Sequence, residues 1–226
     1  MKFKKIGILI GCLLIIGGLT YTFVNSQFFQ GELIRYSQKQ NTSHVSQKTI
    51  NQNKRKQANF SGKATTEADA QTVFDNTTKK DVPVIGMMSI PAVKMVNPII
   101  NGYGETGDYL ALGACTMKPN QIMGQGNYAL AGHYMDSDTV FHSLNKVTKG
   151  MNVYLTDLKQ IYVYQVNNVT TIDKYDVNVI NDVLNQQLVT LLTCVGMQQT
   201  PYRTLVQGKL VKTIKANNVN LKKYNL

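Results

Sequence analysis

The 226-residue sequence has no tryptophan, only three cysteines and five prolines, and just 16% of its side chains are charged. Three cysteines cannot frame a disulfide-stapled mini-protein, and no C-x-x-C or H-x-x-x-H spacing offers a structural zinc site. Carboxylates are scarce, 13 against 24 Lys and Arg, which leaves a formal charge of +11. Such an excess ordinarily raises nucleic acid as a partner. Its distribution argues against that: residues 1–80 carry a net +8, residues 81–226 only +3. A basic tail beside a membrane accounts for the pattern, and no nucleic-acid partner is expected. Hydrophobic content of 43% is ordinary for a folded chain and excludes wholesale disorder.

One long apolar run is present. Ile6 to Val24 is 19 residues without a charge, preceded by Lys2, Lys4 and Lys5. As a helix rising about 1.5 Å per residue it reaches roughly 28 Å, close to the hydrocarbon thickness of a bilayer. The lysines predict a cytoplasmic N-terminus (residues 1–5) and a single span (residues 6–24) that leaves the remainder extracytoplasmic on the cell membrane. The rival reading is a cleaved signal peptide, whose apolar core runs about 7–15 residues and ends on small side chains. This run is longer and exits through Phe23-Val24-Asn25-Ser26-Gln27, so an uncleaved signal anchor is expected, with Cys12 as one more apolar side chain in it.

Residues 25–80 read as a polar tether. Gln, Asn, Ser, Thr, Lys and Arg fill 35 of these 56 positions, with no proline and few large apolar side chains. Such a composition buries too little surface to offset chain entropy. Lys54-Arg55-Lys56 and His44 are expected in solvent, the basic cluster also being suited to anionic headgroups or wall polymers. Glu67 to Phe74 has the pattern of a short amphipathic helix.

From Val82 the pattern changes to short apolar runs cut by Gly, Pro and Asn. Candidate strands are Val84–Ile90, Val93–Ile100, Tyr109–Thr116, Tyr128–His133, Asn152–Leu155, Gln160–Ile172, Leu188–Cys194 and Thr204–Ile214, punctuated by Asn101-Gly102, Gly124-Gln125-Gly126 and Lys149-Gly150. About eight short strands over residues 81–226 predict an all-β domain, a closed barrel or a sandwich. Two helical turns are expected, Asp138–Val147 with Asp138 as its cap and Val177–Leu184.

The chemistry narrows to Cys194, His133 and Arg203. Cys194 ends an apolar strand and faces a polar loop, where a substrate can reach it; mid-strand it would be core. His133 closes another apolar strand in the same way. A thiol reacts as its thiolate, and a neighbouring imidazole is the usual means of forming one. Arg203 lies nine residues after Cys194, and a hairpin would return its permanent charge to the sulfur, beside a developing oxyanion. Singly each residue is unremarkable: a lone cysteine is most often a small buried hydrophobe.

The wording of the motifs adds to this. Thr190-Leu191-Leu192-Thr193-Cys194 matches the T-L-x-T-C signature of the sortases, and Leu130-Ala131-Gly132-His133 resembles the block around their catalytic histidine. Ile85-Gly86, Ile90-Pro91, Pro98 to Gly102 and Leu112-Gly113-Ala114 are similar to the family's opening strands. The resemblance spans roughly residues 82–215, and the order His, Cys, Arg agrees. It implies a closed eight-stranded sortase-type β-barrel with one or two short helices, preceded by the transmembrane helix. The N-terminal anchor resembles the housekeeping class A enzymes; the lid and second membrane segment of pilin-assembling sortases are not seen. Class A sortases cleave an L-P-x-T-G sorting motif between Thr and Gly in secreted proteins, hold the new carboxyl group as a thioester, and pass it to an amino group of a lipid II-type peptidoglycan precursor. The resemblance therefore implies Cys194 as nucleophile, His133 as general acid and base, Arg203 at the carbonyl and oxyanion, and Thr193 as a helper there. A groove of Ala, Val, Ile and Leu would suit the Leu-Pro part of the motif.

Some class A sortases bind calcium through acidic side chains in the loop before the histidine strand and a partner in the loop before the cysteine strand. Here the first loop, Met117 to Met123, has no carboxylate. Asp173, Asp176 and Asp182 in the later loop supply one side only, and calcium needs six to eight oxygen ligands. No metal or other cofactor is expected, and activity is expected without calcium. Cys115 is read as a buried, inert thiol, the alternatives being a groove contact or pairing with Cys194. His142 is expected on the surface of its short helix. Rival readings are an L,D-transpeptidase, which keeps an Arg within a few residues of its cysteine; a papain-like protease, which places Cys before His; and a wall-binding module with Cys194 in its core.

Overall fold

The computed structural model describes residues 2–61, 74, 75, 77–79, 81–196 and 200–226. Eight strands close into a barrel: β1 (Val84–Ile90), β2 (Met95–Ile100), β3 (Ala114–Thr116), β4 (Asn127–Ala131), β5 (Asn152–Thr156), β6 (Gln160–Asp173), β7 (Leu188–Cys194) and β8 (Tyr202–Lys215). Their order around the barrel is β1-β2-β3-β4-β7-β8-β6-β5, so the all-β closed barrel is the architecture found. The β2–β3 and β4–β7 pairs are parallel and the rest antiparallel.

Successive side chains on a strand point to opposite faces, and that alternation sorts the barrel. Tyr128 and Leu130 of β4, Val189 and Leu191 of β7 and Val206 of β8 lie in the main core, with Ile99, Leu155 and Tyr164. Ala131, Leu192, Cys194 and Arg203 have the opposite parity and belong to the outer face. A second apolar cluster covers part of that face, where Val84, Ile100, Leu112 and Cys115 pack together with Ala131 and Met117 at their edge.

Strands β1 and β7 match their predicted limits, whereas three expected strands, β2, β3 and β4, are shorter, and β4 ends at Ala131 rather than at His133. Pro91–Val93 forms a 3₁₀ turn before β2, and Asp108–Ala111 another before β3. The expected helical turns are 3₁₀ segments, His142–Lys146 and Val177–Ile180. Asp138 does not cap the first: Phe141 precedes it without a side-chain cap, and Asp138 accepts from the Ser143 hydroxyl at 3.1 Å. A C-terminal helix, α4 (Asn218–Lys223), closes the chain; Asn217 caps it and Tyr224 stacks on Tyr154 at 4.4 Å.

The N-terminal part departs most from its reading as a tether. Helix α1 (Lys2–Val24) is followed by α2 (Gln27–Thr42) and α3 (Gln47–Lys54), capped by Ser26 and Ser46. The last two pack on the barrel. Ile34 and Ile50 are fully buried, and the Asn53 amide donates to the Val84 carbonyl at 2.9 Å. Burying one isoleucine contributes roughly 1.5–3 kcal/mol, so a polar helix can dock through a single apolar residue per turn of contact. The helix expected over Glu67 to Phe74 lies, but for Phe74, outside the described residues. His44 is exposed, as expected.

From Ile6 to Val24 the large apolar side chains of α1 are exposed; Leu14 has 73% of its surface free. Among the described residues no single helix is long and apolar enough to cross a membrane, while residues 8–24 and 27–42, bent by 56°, pass together on length and composition.

Candidate active site

Three adjacent strand ends carry the expected residues. In the β7–β8 hairpin Cys194 pairs directly with Arg203, so both side chains leave the same outer face. In the parallel β4–β7 pair Ala131 lies beside Leu192, and the Gly132 amide extends the ladder by donating to the Leu192 carbonyl at 3.2 Å. His133 lies two residues past Ala131, where the chain has left the strand: its amide donates to the Leu110 carbonyl at 2.9 Å, at the same end of the barrel as Cys194.

A second bond locks these two strand ends. The Thr193 hydroxyl donates to the Gly132 carbonyl at 2.8 Å, joining the residue before the cysteine to the residue before the histidine. A hydroxyl has one proton, so in this arrangement the Thr193 hydroxyl has none left to donate elsewhere. A side chain at Gly132 would stand 3.0 Å from Phe141 and Val140 and 3.1 Å from the Gly113 carbonyl, which explains glycine at this point.

Cys194 and His133 are both half-buried. The His133 imidazole is pushed down to about 4, first by burial and second by the positive charge of Arg203. The second cause places Arg203 within electrostatic reach of the ring. Arg203 is held by its own loop: Nη1 donates to the carbonyls of Thr200 at 2.7 Å and Tyr202 at 2.9 Å. The remaining guanidinium donors can serve a carbonyl oxygen beside the sulfur. Two residues before Cys194 the outer face carries an apolar row, Ala131, Leu192 and Leu205, in which both leucines are buried.

The remaining candidates separate cleanly. Cys115, fully buried in the second apolar cluster, has its thiol pushed up by burial and by Asp108, so it is an inert core residue. His142 is not a surface residue: its Nδ1 meets the Met135 carbonyl at 2.6 Å and its ring lies against Tyr134. Asp173 and Asp176 cap the turn after β6, where Asp176 accepts from the Asp173 amide at 3.2 Å. Asp182 instead reaches across to the β3–β4 loop. Its carboxylate binds the Lys118 ammonium and accepts from the Asn127 amide at 2.7 Å, and these two contacts hold it below the usual carboxylate range. The part played by Lys118 is not apparent from the sequence; the only signal is a lysine in a loop that lacks carboxylates, opposite a loop that has them.

Residues 88–211 match the Sortase domain family. The chain is 36% identical over 208 residues to Sortase A of Streptococcus agalactiae serotype III (strain NEM316), covering 89% of this chain and 83% of that one. It is 34% identical over 218 residues to Sortase A of Listeria monocytogenes, covering 95% and 96%. The crystal structure of Listeria monocytogenes sortase A superposes with a TM-score of 0.59 at 38% identity, over 62% of this chain and 96% of that one. A barrel with a cysteine, a histidine and an arginine on neighbouring strand ends, and this likeness along nearly its whole length, lead to one conclusion: the chain belongs to the sortase family, the cysteine transpeptidases that anchor proteins to the cell wall.

Proposed function

We propose that this sortase cleaves an L-P-x-T-G-type motif between Thr and Gly in secreted proteins and transfers the freed carboxyl group to an amino group of a lipid II-type wall precursor. The observation that carries the reading is the pairing of Cys194 with Arg203 at the ends of β7 and β8, with His133 just past the end of the adjacent β4 and within electrostatic reach of Arg203. In this scheme the Cys194 thiolate attacks the Thr carbonyl. The carbon–sulfur bond forms, the carbon–nitrogen bond breaks, and the departing glycine amine takes a proton from His133. The incoming amine then attacks the thioester, gives its proton back to His133 and releases the thiolate. Arg203 stabilises the oxyanion at each tetrahedral stage. With His133 pushed down to about 4, the resting imidazole is neutral at pH 7.

Calcium has no part in this reading. The β3–β4 and β6–β7 loops are already tied by the Lys118 ammonium on Asp182, a cation supplied by the chain itself. Residues 6–24 are read as the membrane anchor, with the N-terminus cytoplasmic and the barrel outside; the exposed apolar side chains of α1 support it. The test is a quenched L-P-x-T-G peptide with the full chain in detergent, without calcium, with and without hydroxylamine. Cleavage after Thr that hydroxylamine accelerates, and that Cys194→Ala, His133→Ala and Arg203→Ala each abolish, supports the proposal. An intact peptide even after calcium is added refutes the assigned substrate.

A further inference from the structure

Helix α2 ties the reactive end of the barrel to the point where the chain leaves α1. We infer that this strap holds the Cys194 rim facing the lipid surface. The inference rests on reading α1 as the anchor and deepens it.

The joint between α1 and α2 bears the marks of a membrane interface. Tyr21, Phe23 and Phe28 are 70%, 53% and 68% exposed there, and the rings of Phe23 and Phe29 lie 5.2 Å apart. Exposed aromatic rings gather at headgroup level. Just beyond the joint, Gln27 donates to the Asp136 carboxylate at 3.2 Å, and Gly31 packs so closely on Ser137 that a side chain would stand 3.0 Å from it. Asp136 is three residues after His133, at most about 11 Å of extended chain. The exit from α1 is therefore fastened beside the loop that carries His133.

The course of the chain from there sets the orientation. The Gln38 amide donates to Asn97 at 3.1 Å and to the Leu112 carbonyl at 2.9 Å, midway along the barrel wall. Gln47, at the start of α3, donates to the Leu158 carbonyl at 2.9 Å in the β5–β6 turn. That turn is at the opposite end of the barrel, because β6 begins with Gln160 beside Lys215 and finishes with Asp173 beside Tyr202, next to Arg203. The strap thus runs from the reactive rim to the far end, which leaves the rim proximal to α1 and the β5–β6 turn distal. Tyr175 and Tyr202, 76% and 53% exposed, stand on the proximal end as further interfacial rings.

The experiment uses the full chain in vesicles whose lipid headgroups carry an energy acceptor, with a donor dye on Lys174→Cys at the proximal end or Lys159→Cys at the distal end. Several-fold stronger transfer from position 174 is expected. A flexible Gly-Ser insertion between Val24 and Asn25 should narrow that difference. Equal transfer from the two positions, or stronger transfer from 159, overturns the inference while the anchor stands. A chain that fails to float with the vesicles overturns the anchor reading itself, and the orientation with it.

Discussion

The hydroxyl of Thr193 lies 2.8 Å from the carbonyl oxygen of Gly132 and donates to it. The bond joins two strands whose sequences are some sixty residues apart, at the level where the cysteine and the histidine emerge. Thr193 is 3% exposed, so water does not replace the bond when it is removed.

Thr193→Val removes the donor, keeps the shape and leaves a buried carbonyl unpaired. The expected cost is about 1–3 kcal/mol of stability, read by urea denaturation. Peptide cleavage should fall more than stability explains, because the relative placement of His133 and Cys194 is relaxed. Thr193→Ser should restore most of both. Full activity in the valine variant would show that the bond does not position the pair.

Arg203 is the second cause of the depressed His133 pKa, after burial. Arg203→Gln should therefore move the His133 titration upward from about 4, but short of the ordinary value near 6.5, since burial remains. Ring-proton NMR against pH reads this directly. An unmoved or lowered titration would separate the two residues in space.

Acid stability follows from the same group. The folded pKa of about 4 lies below the unfolded value near 6.5, so the unfolded chain binds the extra proton between them. Stability associated with neutral His133 is present above about pH 6.5 and is lost as pH falls toward 4. The loss is no more than about 3 kcal/mol, and less to the extent that solvent screens a half-buried ring. His133→Asn should flatten this part of the stability profile relative to wild type, whereas parallel profiles would contradict the assigned shift.

The Lys118–Asp182 contact makes a prediction about calcium. Lys118→Ala should loosen the β6–β7 loop and raise KM for the peptide more than it lowers kcat, because the reacting groups stand on other strands. Added calcium should not restore the wild-type value, since Asp182 alone provides too few ligands. Calcium activation of the wild-type chain would break the account of this contact.

Much of the barrel is legible in the sequence because its strands are short apolar runs between turn residues, and β1 and β7 fall at their predicted limits. The nine-residue spacing of Cys194 and Arg203 is a local hairpin, hence readable; the register confirms it. The approach of His133 to Cys194 is different. It depends on the parallel pairing of β4 with β7, a long-range relation that no local pattern encodes, and only the motif wording signals it. The helices α2 and α3 escape a composition argument because each docks chiefly through one isoleucine, Ile34 or Ile50, amid polar residues. Their caps, Ser26 and Ser46, were the local signal available. The short β3 and the turn before it reflect Gly107, whose left-handed backbone (φ 81°) opens a 3₁₀ segment where a strand would otherwise start.

The central claim is that Cys194 carries the acyl group, and intact-protein mass spectrometry tests it most directly. The full chain would be mixed with an L-P-x-T-G peptide at pH 7 without calcium and quenched in acid within one turnover. The account predicts an adduct with the mass of the peptide up to Thr, located on Cys194 by digestion, released by hydroxylamine and absent from Cys194→Ala. Cleaved peptide with no adduct, or an adduct on Cys115, would contradict it.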